Sequence, residues 1–385
     1  MDLDSMTIIH LIAQLRFGAG RYVVDTAIEQ ARGLKHDVIV CVSTDADEYW
    51  RTDPKLVSEL DSHGIRVQTM GDFFHRQTDQ IHQSGARLQE LMRNSRGAFV
   101  IHAHTAMAAA AGYWAQPDAL IATCHGWGAN RPADMDLEDS LAYQLCDCVI
   151  TYSNHWADRL KQDLAVRHPQ VVLMGLDLDR YPQVSERNLP DSAPVRIVTA
   201  CELTPRKGVD LLLNAMPVLW KQTPDAELHI MGDGDAADRL RLQATRIDPR
   251  MGRICFHGTV PNPYDRLAAF DLFVLASRSD NLPVILLEAM FARLPIVATA
   301  VGGVPELISA AGSGTVVLPE STEALAEGII AAVKAGRQTM ISAGIKGEQF
   351  VRDRLDVRKT ALELDRVYRE TLQKRLRLAG TEQVK

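Results

Sequence analysis

The sequence has 385 residues, a formal net charge of −7, 46% hydrophobic residues and 24% charged residues. This balance is typical of a globular protein and excludes a disordered chain, and at roughly 150 residues per domain the length predicts two or three domains. The acidic net charge argues against a dedicated nucleic-acid-binding protein, so no nucleic-acid partner is expected.

Short apolar runs alternate with amphipathic stretches along the chain, in two series separated by a polar, proline-containing segment at 180–194. The first series predicts strands at 7–15, 37–43, 66–70, 98–102, 120–124, 149–152 and 171–174. The second series predicts strands at 196–200, 227–231, 253–257, 272–276, 296–299 and 315–318. Helical patterns lie between them, for example at 208–220, and a long charged helical pattern follows at 357–378.

Buried strands that alternate with helices form parallel sheets with right-handed crossovers. The two series therefore predict an α/β chain with two doubly wound, Rossmann-like domains, at 1–180 and 181–356. Such sheets bind ligands at the carboxyl ends of their strands, so we expect the chemistry in the loops that lead from strands to helices.

The longest apolar run, at 106–115, is shorter than the roughly 20 residues that a membrane span needs. The sequence opens Met1-Asp2-Leu3-Asp4, which is acidic where a secretion signal is basic. The six cysteines contain no CxxC pair, a pattern that favours reduced thiols. We therefore expect a cytoplasmic protein whose membrane contact is at most peripheral.

Two glycines, Gly18 and Gly20, follow the first predicted strand. A Gly-x-Gly turn in this place also fits a dinucleotide-binding fold, although the third glycine of the full fingerprint is missing. A nucleotide-dependent oxidoreductase is therefore one alternative.

Histidines end two neighbouring predicted strands, His102 and His104 on one and His125 on the next. Three histidines near one sheet edge suggest a zinc site. Polar residues at strand ends are the favoured interpretation, because no nearby carboxylates complete a ligand set. We assign no metal.

Two adjacent cations, Arg206 and Lys207, precede Gly208 and a predicted helix. The N–H groups and the dipole of a helix N-terminus favour an anion, so this loop predicts a phosphate or diphosphate site, with a solvated basic turn as the alternative. Gly232 begins a Gly-Asp-Gly-Asp sequence after the next strand, which allows a tight turn or a close approach to a ligand.

The segment 275–290 carries two carboxylates, Asp280 and Glu288, separated by seven residues. Asn281 is placed to cap a helix whose first positions include Pro283. Glu288 then lies on this helix among apolar neighbours, which predicts partial burial and a need for hydrogen-bonding partners, ligand hydroxyls among them.

Four sequence features occur together in one order: Lys-Gly-Val-Asp at 207–210, Gly-Asp-Gly at 232–234, the Asp280 and Glu288 pair, and Gly-Gly-Val-Pro-Glu at 302–306. With them, residues 195–310 resemble the nucleotide-sugar-binding half of the retaining glycosyltransferases of the large family 4 type. The resemblance is strong in the second half of the chain and moderate in the first. It implies the GT-B fold, with two Rossmann-like domains facing a central cleft and the terminal segment 357–385 packing back on the first domain.

The resemblance implies roles for residues of the second half. Lys207 would bind the donor diphosphate, with Arg206 beside it, and Glu288 would bind the ribose hydroxyls of the nucleotide. The remaining expected donor contacts in this half come from Gly232 and from the loop of Asn281, Leu282 and Pro283.

In the first half, the resemblance places the Gly18 and Gly20 loop near the donor phosphates and the acceptor. His125 matches a Thr-x-His sequence whose histidine faces the reacting sugar. The expected catalytic group is His125, Lys207 and Asp280.

The implied activity is retaining transfer of a hexose from a nucleotide-diphosphate sugar, with UDP as the expected nucleotide, to a hydroxyl of a small molecule or glycan. The donor is a co-substrate, and neither a metal nor another cofactor is expected. The chain would act as a monomer or homodimer.

Two positions depart from the family pattern. Glu202 stands five residues before Lys207, where the family often has arginine, and Asp280 replaces a glutamate. Both departures leave a non-catalytic sugar-nucleotide-binding protein as a second alternative.

Overall fold

The computed structural model describes residues 6–44, 52–73, 75–93, 97–127, 132–183, 193–250 and 252–382. The chain divides into two compact units. The first unit is Met1–Asp177 with Leu355–Lys385, and the second unit is Leu178–Arg354. Within the proline-containing segment between the two strand series, 184–192 lies outside the described residues.

The first unit contains a parallel seven-stranded sheet. Its strands are β1 (Met6–Ile12), β2 (Asp37–Val42), β3 (Arg66–Thr69), β4 (Ala98–Ala103), β5 (Ala119–Thr123), β6 (Cys148–Thr151) and β7 (Gln170–Val171). They lie in the order β3-β2-β1-β4-β5-β6-β7. The helices between them are α1 (Phe17–Arg32), α2 (Pro54–Ser62), α3 (Thr78–Arg93), α4 (Ala106–Trp114), α5 (Ala133–Gln144) and α6 (Asn154–Leu164).

The second unit contains a parallel six-stranded sheet. Its strands are β8 (Arg196–Ala200), β9 (Glu227–Met231), β10 (Ile254–Phe256), β11 (Leu272–Leu275), β12 (Ile296–Thr299) and β13 (Gly314–Val317). They lie in the order β10-β9-β8-β11-β12-β13. The helices are α7 (Val209–Trp220), α8 (Ala237–Ile247), α9 (Tyr264–Leu267), α10 (Val284–Phe291), α11 (Val304–Ala311), α12 (Thr322–Lys334) and α13 (Arg337–Arg354).

The last helix, α14 (Val357–Glu382), belongs to the first unit. Its Asp365 accepts a 2.8 Å contact from His36, and Thr360 donates to the carbonyl of Leu173 at 2.9 Å. Tyr368 is fully buried. The terminal helix therefore completes the core of this unit.

The central strands of both sheets are buried because helices cover their faces, as parallel sheets require. All seven residues of β1 are buried. In the second unit, α7 buries the apolar face of its pattern with Leu212, Leu213, Met216 and Leu219. Among the described helices, none is both long enough and apolar enough to cross a membrane.

Both sheets reverse their strand order at one point, between β1 and β4 in the first unit and between β8 and β11 in the second. Doubly wound sheets bind ligands in the crevice beyond the carboxyl ends of the strands at this switch point. The loops after these four strands are therefore where a site is expected within each unit.

Two local predictions were wrong. The first strand ends at Ile12 rather than at residue 15, and α1 begins at Phe17, so Gly18 and Gly20 lie in the first helical turn and not in a loop. The amide of Gly20 closes this turn by donating to the carbonyl of Arg16 at 2.9 Å. Glycine is a poor helix former, which is why the sequence pattern placed the helix start later.

Candidate active site

The switch point of the second unit brings together the loops that follow β8 and β11. Arg206 and Lys207 lie on a short 3₁₀ turn, and Gly208 ends this turn with φ of +64°. A Cβ atom on Gly208 would lie 2.0 Å from the carbonyl oxygen of Ala276, the residue that follows β11. Glycine is therefore required at 208 both for its conformation and for the contact between the two loops.

The predicted phosphate-binding cations are paired with Asp280. Lys207 Nζ donates to Oδ2 of Asp280 at 2.6 Å, and Arg206 Nη1 donates to Oδ1 at 3.0 Å. Ser277 Oγ also donates to Oδ2, at 2.9 Å. The Lys207 and Asp280 side chains are only 12% and 11% exposed, whereas that of Arg206 is 46% exposed. The structure thus assembles two cations and one carboxylate in a single cluster.

A second ion pair, which sequence reasoning missed, fixes the same turn. Arg278 donates from both Nη atoms to the carboxylate of Asp210, each at 2.8 Å, and its Nη1 also donates to the carbonyl of Pro205 at 2.7 Å. The hydrogen bonds from Arg278 lower the pKa of the Asp210 carboxyl. Asp210 belongs to the Lys-Gly-Val-Asp motif, so the motif itself was the available signal. This pair holds the 3₁₀ turn beside the loop after β11.

Gly232 lies against the chain's own backbone. It has φ of +130°, and a Cβ atom there would lie 1.8 Å from the carbonyl oxygen of Cys201. The fold therefore requires glycine at this position for a close approach between the loops after β8 and β9.

The loop 281–283 leads into α10 in a way that corrects one prediction. The residue before the helix is Pro283, in extended conformation and without a side-chain cap, so Asn281 is not the N-cap. Instead the carbonyl of Asn281 accepts from the amide of Gly303 at 2.8 Å. Asn281 and Leu282 are buried. Asn281 stands two residues before the cap because Pro283 already supplies the extended residue that starts the helix.

Glu288 lies on α10 and is half-buried, as its apolar neighbours predicted. Tyr181 Oη donates to its Oε1 at 2.9 Å. The Tyr181 ring packs against Tyr264, with centroids 4.6 Å apart, and Tyr264 Oη donates to the carbonyl of Pro182. Burial raises the pKa of Tyr264 to about 12. The carboxylate therefore has a protein donor in Tyr181, a partner that sequence reasoning missed.

In the first unit, the helix start after β1 is strained. Phe17 has φ of +51°, is 52% exposed, and lies under the guanidinium of Arg16 at 4.3 Å from the ring centroid. A positive φ is unfavourable for a bulky residue, and such strain concentrates at functional sites. A Cβ atom on Gly20 would lie 2.7 Å from the carbonyl carbon of Leu15, so Gly20 lets the helix start pack on the preceding loop.

Both ring nitrogens of His125 have protein partners. Nε2 lies 3.2 Å from Nδ1 of His104, and Nδ1 lies 3.0 Å from Oη of Tyr152. Tyr22 of α1 packs edge-on against the His125 ring, with centroids 5.8 Å apart. Burial lowers the pKa of His125 to about 4, so the ring is neutral at physiological pH.

His104 extends these contacts into the core. Its Nε2 lies 3.0 Å from Nδ1 of His10, a histidine of β1 that pairs with His102 of β4 in the sheet register. Burial lowers the pKa of His10 to about 4 and holds the pKa values of His102 and His104 well below the usual range. Sequence reasoning missed His10, although its place on β1 next to β4 follows from the topology.

The three histidines that could hold a metal differ from those considered from the sequence. Among the described residues, His10, His102 and His104 have ring nitrogens within 4.8 Å of one another. His10 takes the place of His125 in this group.

Two family models match the chain. The model described as Glycosyltransferase Family 4 matches residues 18–180, and the model described as Glycosyl transferases group 1 matches residues 194–335. The two matches cover most of both units.

Curated relatives match over part of their length. A GDP-mannose-dependent monoacylated alpha-(1-6)-phosphatidylinositol monomannoside mannosyltransferase of Corynebacterium glutamicum is 29% identical over 203 residues, which is 47% of this chain and 52% of that protein. The O-antigen biosynthesis glycosyltransferase WbnH of Escherichia coli is 27% identical over 208 residues, which is 53% of this chain and 56% of that protein. The alignments thus span about half the length of these relatives.

Solved structures show the same fold over nearly the whole chain. A Rickettsia africae glycosyltransferase has a TM-score of 0.79 at 18% identity, covering 96% of this chain and 99% of that one. Anabaena Alr3699/HepE in complex with UDP has a TM-score of 0.77 at 20% identity, covering 95% and 100%. With both family models matched and the two Rossmann-like sheets in place, the chain belongs to the group 1 glycosyltransferases with the GT-B fold.

Proposed function

We propose that this protein transfers a hexose from a nucleoside-diphosphate sugar to a hydroxyl of a small molecule or glycan, with retention of anomeric configuration and without a metal. The observation that carries the proposal is the convergence of Lys207 and Arg206 on Asp280 at the switch point of the second unit. Family membership supports the class of reaction.

The cation cluster fits the chemistry of the leaving group. Cleavage of the donor builds negative charge on the diphosphate, and preorganised cations stabilise that charge in the transition state. Lys207 and Arg206 supply two positive charges, and Asp280 holds them in place before the donor arrives. The N-terminus of α10 follows Asp280 in the same loop and adds the positive end of its dipole.

The donor is proposed only as a class, with UDP-sugars and GDP-sugars as the two to test. The Anabaena protein forms a complex with UDP, and the Corynebacterium relative is named as GDP-mannose-dependent. The names of the relatives also support a glycan or a lipid-linked glycan as acceptor. All six cysteines are free thiols, which supports a cytoplasmic location.

The other predicted site residues take subordinate parts in this proposal. Glu288 accepts hydrogen bonds from the ribose, Gly18 and Gly20 let the start of α1 approach the donor phosphates, and His125 lies beside the reacting sugar. The proposed catalytic group remains His125, Lys207 and Asp280.

The test is a donor-by-acceptor screen of the purified full chain, with UDP-sugars and GDP-sugars and products identified by mass spectrometry. Transfer is expected for one donor, and NMR of the product gives the anomeric configuration. Nucleotide binding without turnover would identify a sugar-nucleotide-binding protein instead. Tight binding of NAD in preference to UDP and GDP would revive the oxidoreductase alternative.

A further inference from the structure

A continuous series of hydrogen bonds runs through the core of the first unit. It begins at Tyr152, whose hydroxyl contacts His125, and continues through His104 and His10 to the side-chain amide of Gln30. The last contact, from His10 Nε2 to Gln30 Oε1, is 2.6 Å. We call this series, with its continuation described below, the imidazole network.

The network continues beyond the amide. Gln30 Nε2 donates to Oη of Tyr368 at 3.2 Å, and Tyr368 Oη lies 2.6 Å from Nδ1 of His102. His102 Nε2 in turn lies 2.7 Å from Oγ1 of Thr123. Thr123 and His125 are the two named positions of the Thr-x-His sequence, so both branches of the network reach the end of β5.

With Gln30 Oε1 facing His10 and Gln30 Nε2 facing Tyr368, donor and acceptor rules give the network one direction. A carboxamide oxygen only accepts, so His10 carries its proton on Nε2, and because a neutral imidazole has one N–H, His10 Nδ1 must accept. His104 therefore donates from Nε2 and accepts at Nδ1. His125 repeats this pattern, since its Nε2 faces His104 and its Nδ1 faces the Tyr152 hydroxyl.

The same amide sets the second branch. Because Gln30 Nε2 donates to Tyr368, the Tyr368 hydroxyl proton is left for His102 Nδ1, and His102 must then donate from Nε2 to Thr123. All four imidazoles are thereby neutral Nε2–H tautomers. Reversing the Gln30 amide would reverse every one of these hydrogen bonds and give four Nδ1–H tautomers, so the orientation of this one amide selects between two self-consistent states of the network.

We infer that Gln30 is a positioning residue for glycosyl transfer: its amide fixes one tautomer along the imidazole network and so holds His125 and Thr123 in one orientation beside the sugar site. This inference rests on the proposed function. His125 then presents to a sugar its main chain and ring carbons, since either ring nitrogen could reach a ligand only by giving up His104 or Tyr152.

Two other uses of the cluster fit the geometry less well. A proton relay would stop at Gln30, because a carboxamide does not pass protons as an imidazole does. A divalent metal on His10, His102 and His104 would displace hydrogen bonds to Gln30, Tyr368 or Thr123. It would also place the two positive charges of the ion in a fully buried site. Among the described residues, the histidine group that would bind it contains no carboxylate to balance this charge.

The first test reads tautomers in the full chain without substrate. Ring-¹⁵N-histidine protein is examined by long-range ¹H–¹⁵N NMR, with assignments from single substitutions. Four neutral Nε2–H rings are expected in the wild type at pH 7. Gln30→Met should mix the tautomers of His10, His104 and His125, whereas Tyr368→Phe should change His102 alone. Thr371→Val is the matched control, because it removes a buried hydrogen bond of α14 to Val367 and should leave all four unchanged.

The second test is kinetic. Gln30→Met is expected to lower kcat by about tenfold or more through misplacement at the site, with the donor KM little changed. Gln30→Glu retains the acceptor for His10 and should recover the tautomer of that ring but not that of His102. Thr371→Val should retain wild-type kcat.

The outcomes separate this inference from the proposed function. Absence of transfer by the wild type with the expected tautomers present would overturn the function and leave the network description standing. An Nδ1–H or protonated His125, unchanged tautomers in Gln30→Met, or equal kcat in Gln30→Met and Thr371→Val would overturn the positioning role. One equivalent of tightly bound zinc, with histidine signals that move when it is removed, would show a metal site instead.

Discussion

Lys207 Nζ lies 2.6 Å from Oδ2 of Asp280, and both side chains are nearly buried. The cation assigned to the donor diphosphate thus already has a carboxylate partner within its own unit. A dianionic diphosphate that reaches this site competes with Asp280 for the same ammonium group. The pair therefore keeps Lys207 oriented before the donor binds and also reduces the net positive charge that the donor meets.

Lys207→Ala is expected to weaken donor binding and to lower turnover by roughly 10²–10³, because one preorganised contact to the leaving group is lost. Initial rates and calorimetry with the active donor measure both effects. Lys221→Ala is the control, since Lys221 is exposed at the end of α7. Unchanged donor kinetics in a folded Lys207→Ala protein would remove Lys207 from the diphosphate site.

Asp280→Asn is expected to bind free nucleoside diphosphate several-fold more tightly than the wild type. The substitution keeps the shape of the side chain but removes the negative charge that competes with the diphosphate for Lys207 and Arg206. Calorimetric titration with UDP and GDP gives the Kd of each protein. The difference in Kd between Asp280→Asn and the wild type should shrink as salt is added. Equal or weaker binding would mean that Asp280 organises the cations more than it opposes the ligand.

The sheets could be predicted from the sequence because strands in covered parallel sheets are continuous apolar runs. The runs at 196–200, 227–231 and 296–299 match β8, β9 and β12 residue for residue. Helix starts were harder. The glycines near Phe17 and the proline at 283 obscured where α1 and α10 begin, since backbone conformation and not hydrophobicity sets those ends.

Within the candidate site, residue types were predictable and partners were not. The motif placed Lys207 and Asp280 in neighbouring loops, but only the fold shows that they pair with each other. Tyr181 and Gln30 could not be assigned to Glu288 and His10 from spacing, because they are 107 and 20 residues away from these partners and carry no motif. Such contacts depend on the packing of distant segments.

Glycosyl transfer is expected to survive EDTA, because the proposal assigns the charge of the leaving group to Lys207, Arg206 and the start of α10. Rates with the active donor are compared before and after exhaustive chelation and after adding Mg²⁺ or Mn²⁺. Activity that is lost to EDTA and restored by one of these ions would require a metal bound with the donor or on the protein.

Acid should lower the stability of the first unit at pH values higher than those at which most carboxylates titrate. The folded pKa values of His10 and His125 are about 4, and those of His102 and His104 are also lowered, against about 6.5 in an unfolded chain. Below pH about 6.5 the unfolded chain binds more protons, so stability falls as pH drops toward 4 and levels off once the folded rings protonate. Each histidine contributes a slope of up to about 1.4 kcal/mol per pH unit.

Urea unfolding of the full chain between pH 7 and pH 5 measures this slope. His104→Asn should flatten it, whereas His155→Gln, a change at an exposed histidine, should leave it as in the wild type. A stability that does not change between pH 7 and pH 5 would contradict burial of neutral imidazoles in the first unit.

Glu288→Gln is expected to weaken the binding of a ribonucleotide, because hydrogen bonds to a charged acceptor contribute roughly 1.5–3 kcal/mol each. The substitution keeps the shape of the side chain but replaces one oxygen acceptor by a donor. A 2′,3′-dideoxy donor lacks the hydroxyls, so it should bind the wild type poorly and bind the variant equally poorly. Calorimetry on the four combinations forms a double cycle, with circular dichroism to confirm folding.

Tyr181→Phe separates the ribose contact from the hydrogen bond that Glu288 accepts inside the second unit at 2.9 Å. If the ribose is the functional partner of Glu288, Tyr181→Phe should leave the coupling between Glu288 and the ribose hydroxyls intact, although the orientation of the carboxylate is less restrained. The opposite result has two parts: the binding losses in the double cycle are additive, and Tyr181→Phe and Glu288→Gln have equal free energies of unfolding. That result would mean that Glu288 holds Tyr181 and does not touch the nucleotide. Glu288 accepts from Tyr181 in either case, so only the coupling to the ribose distinguishes a ligand contact from a structural one.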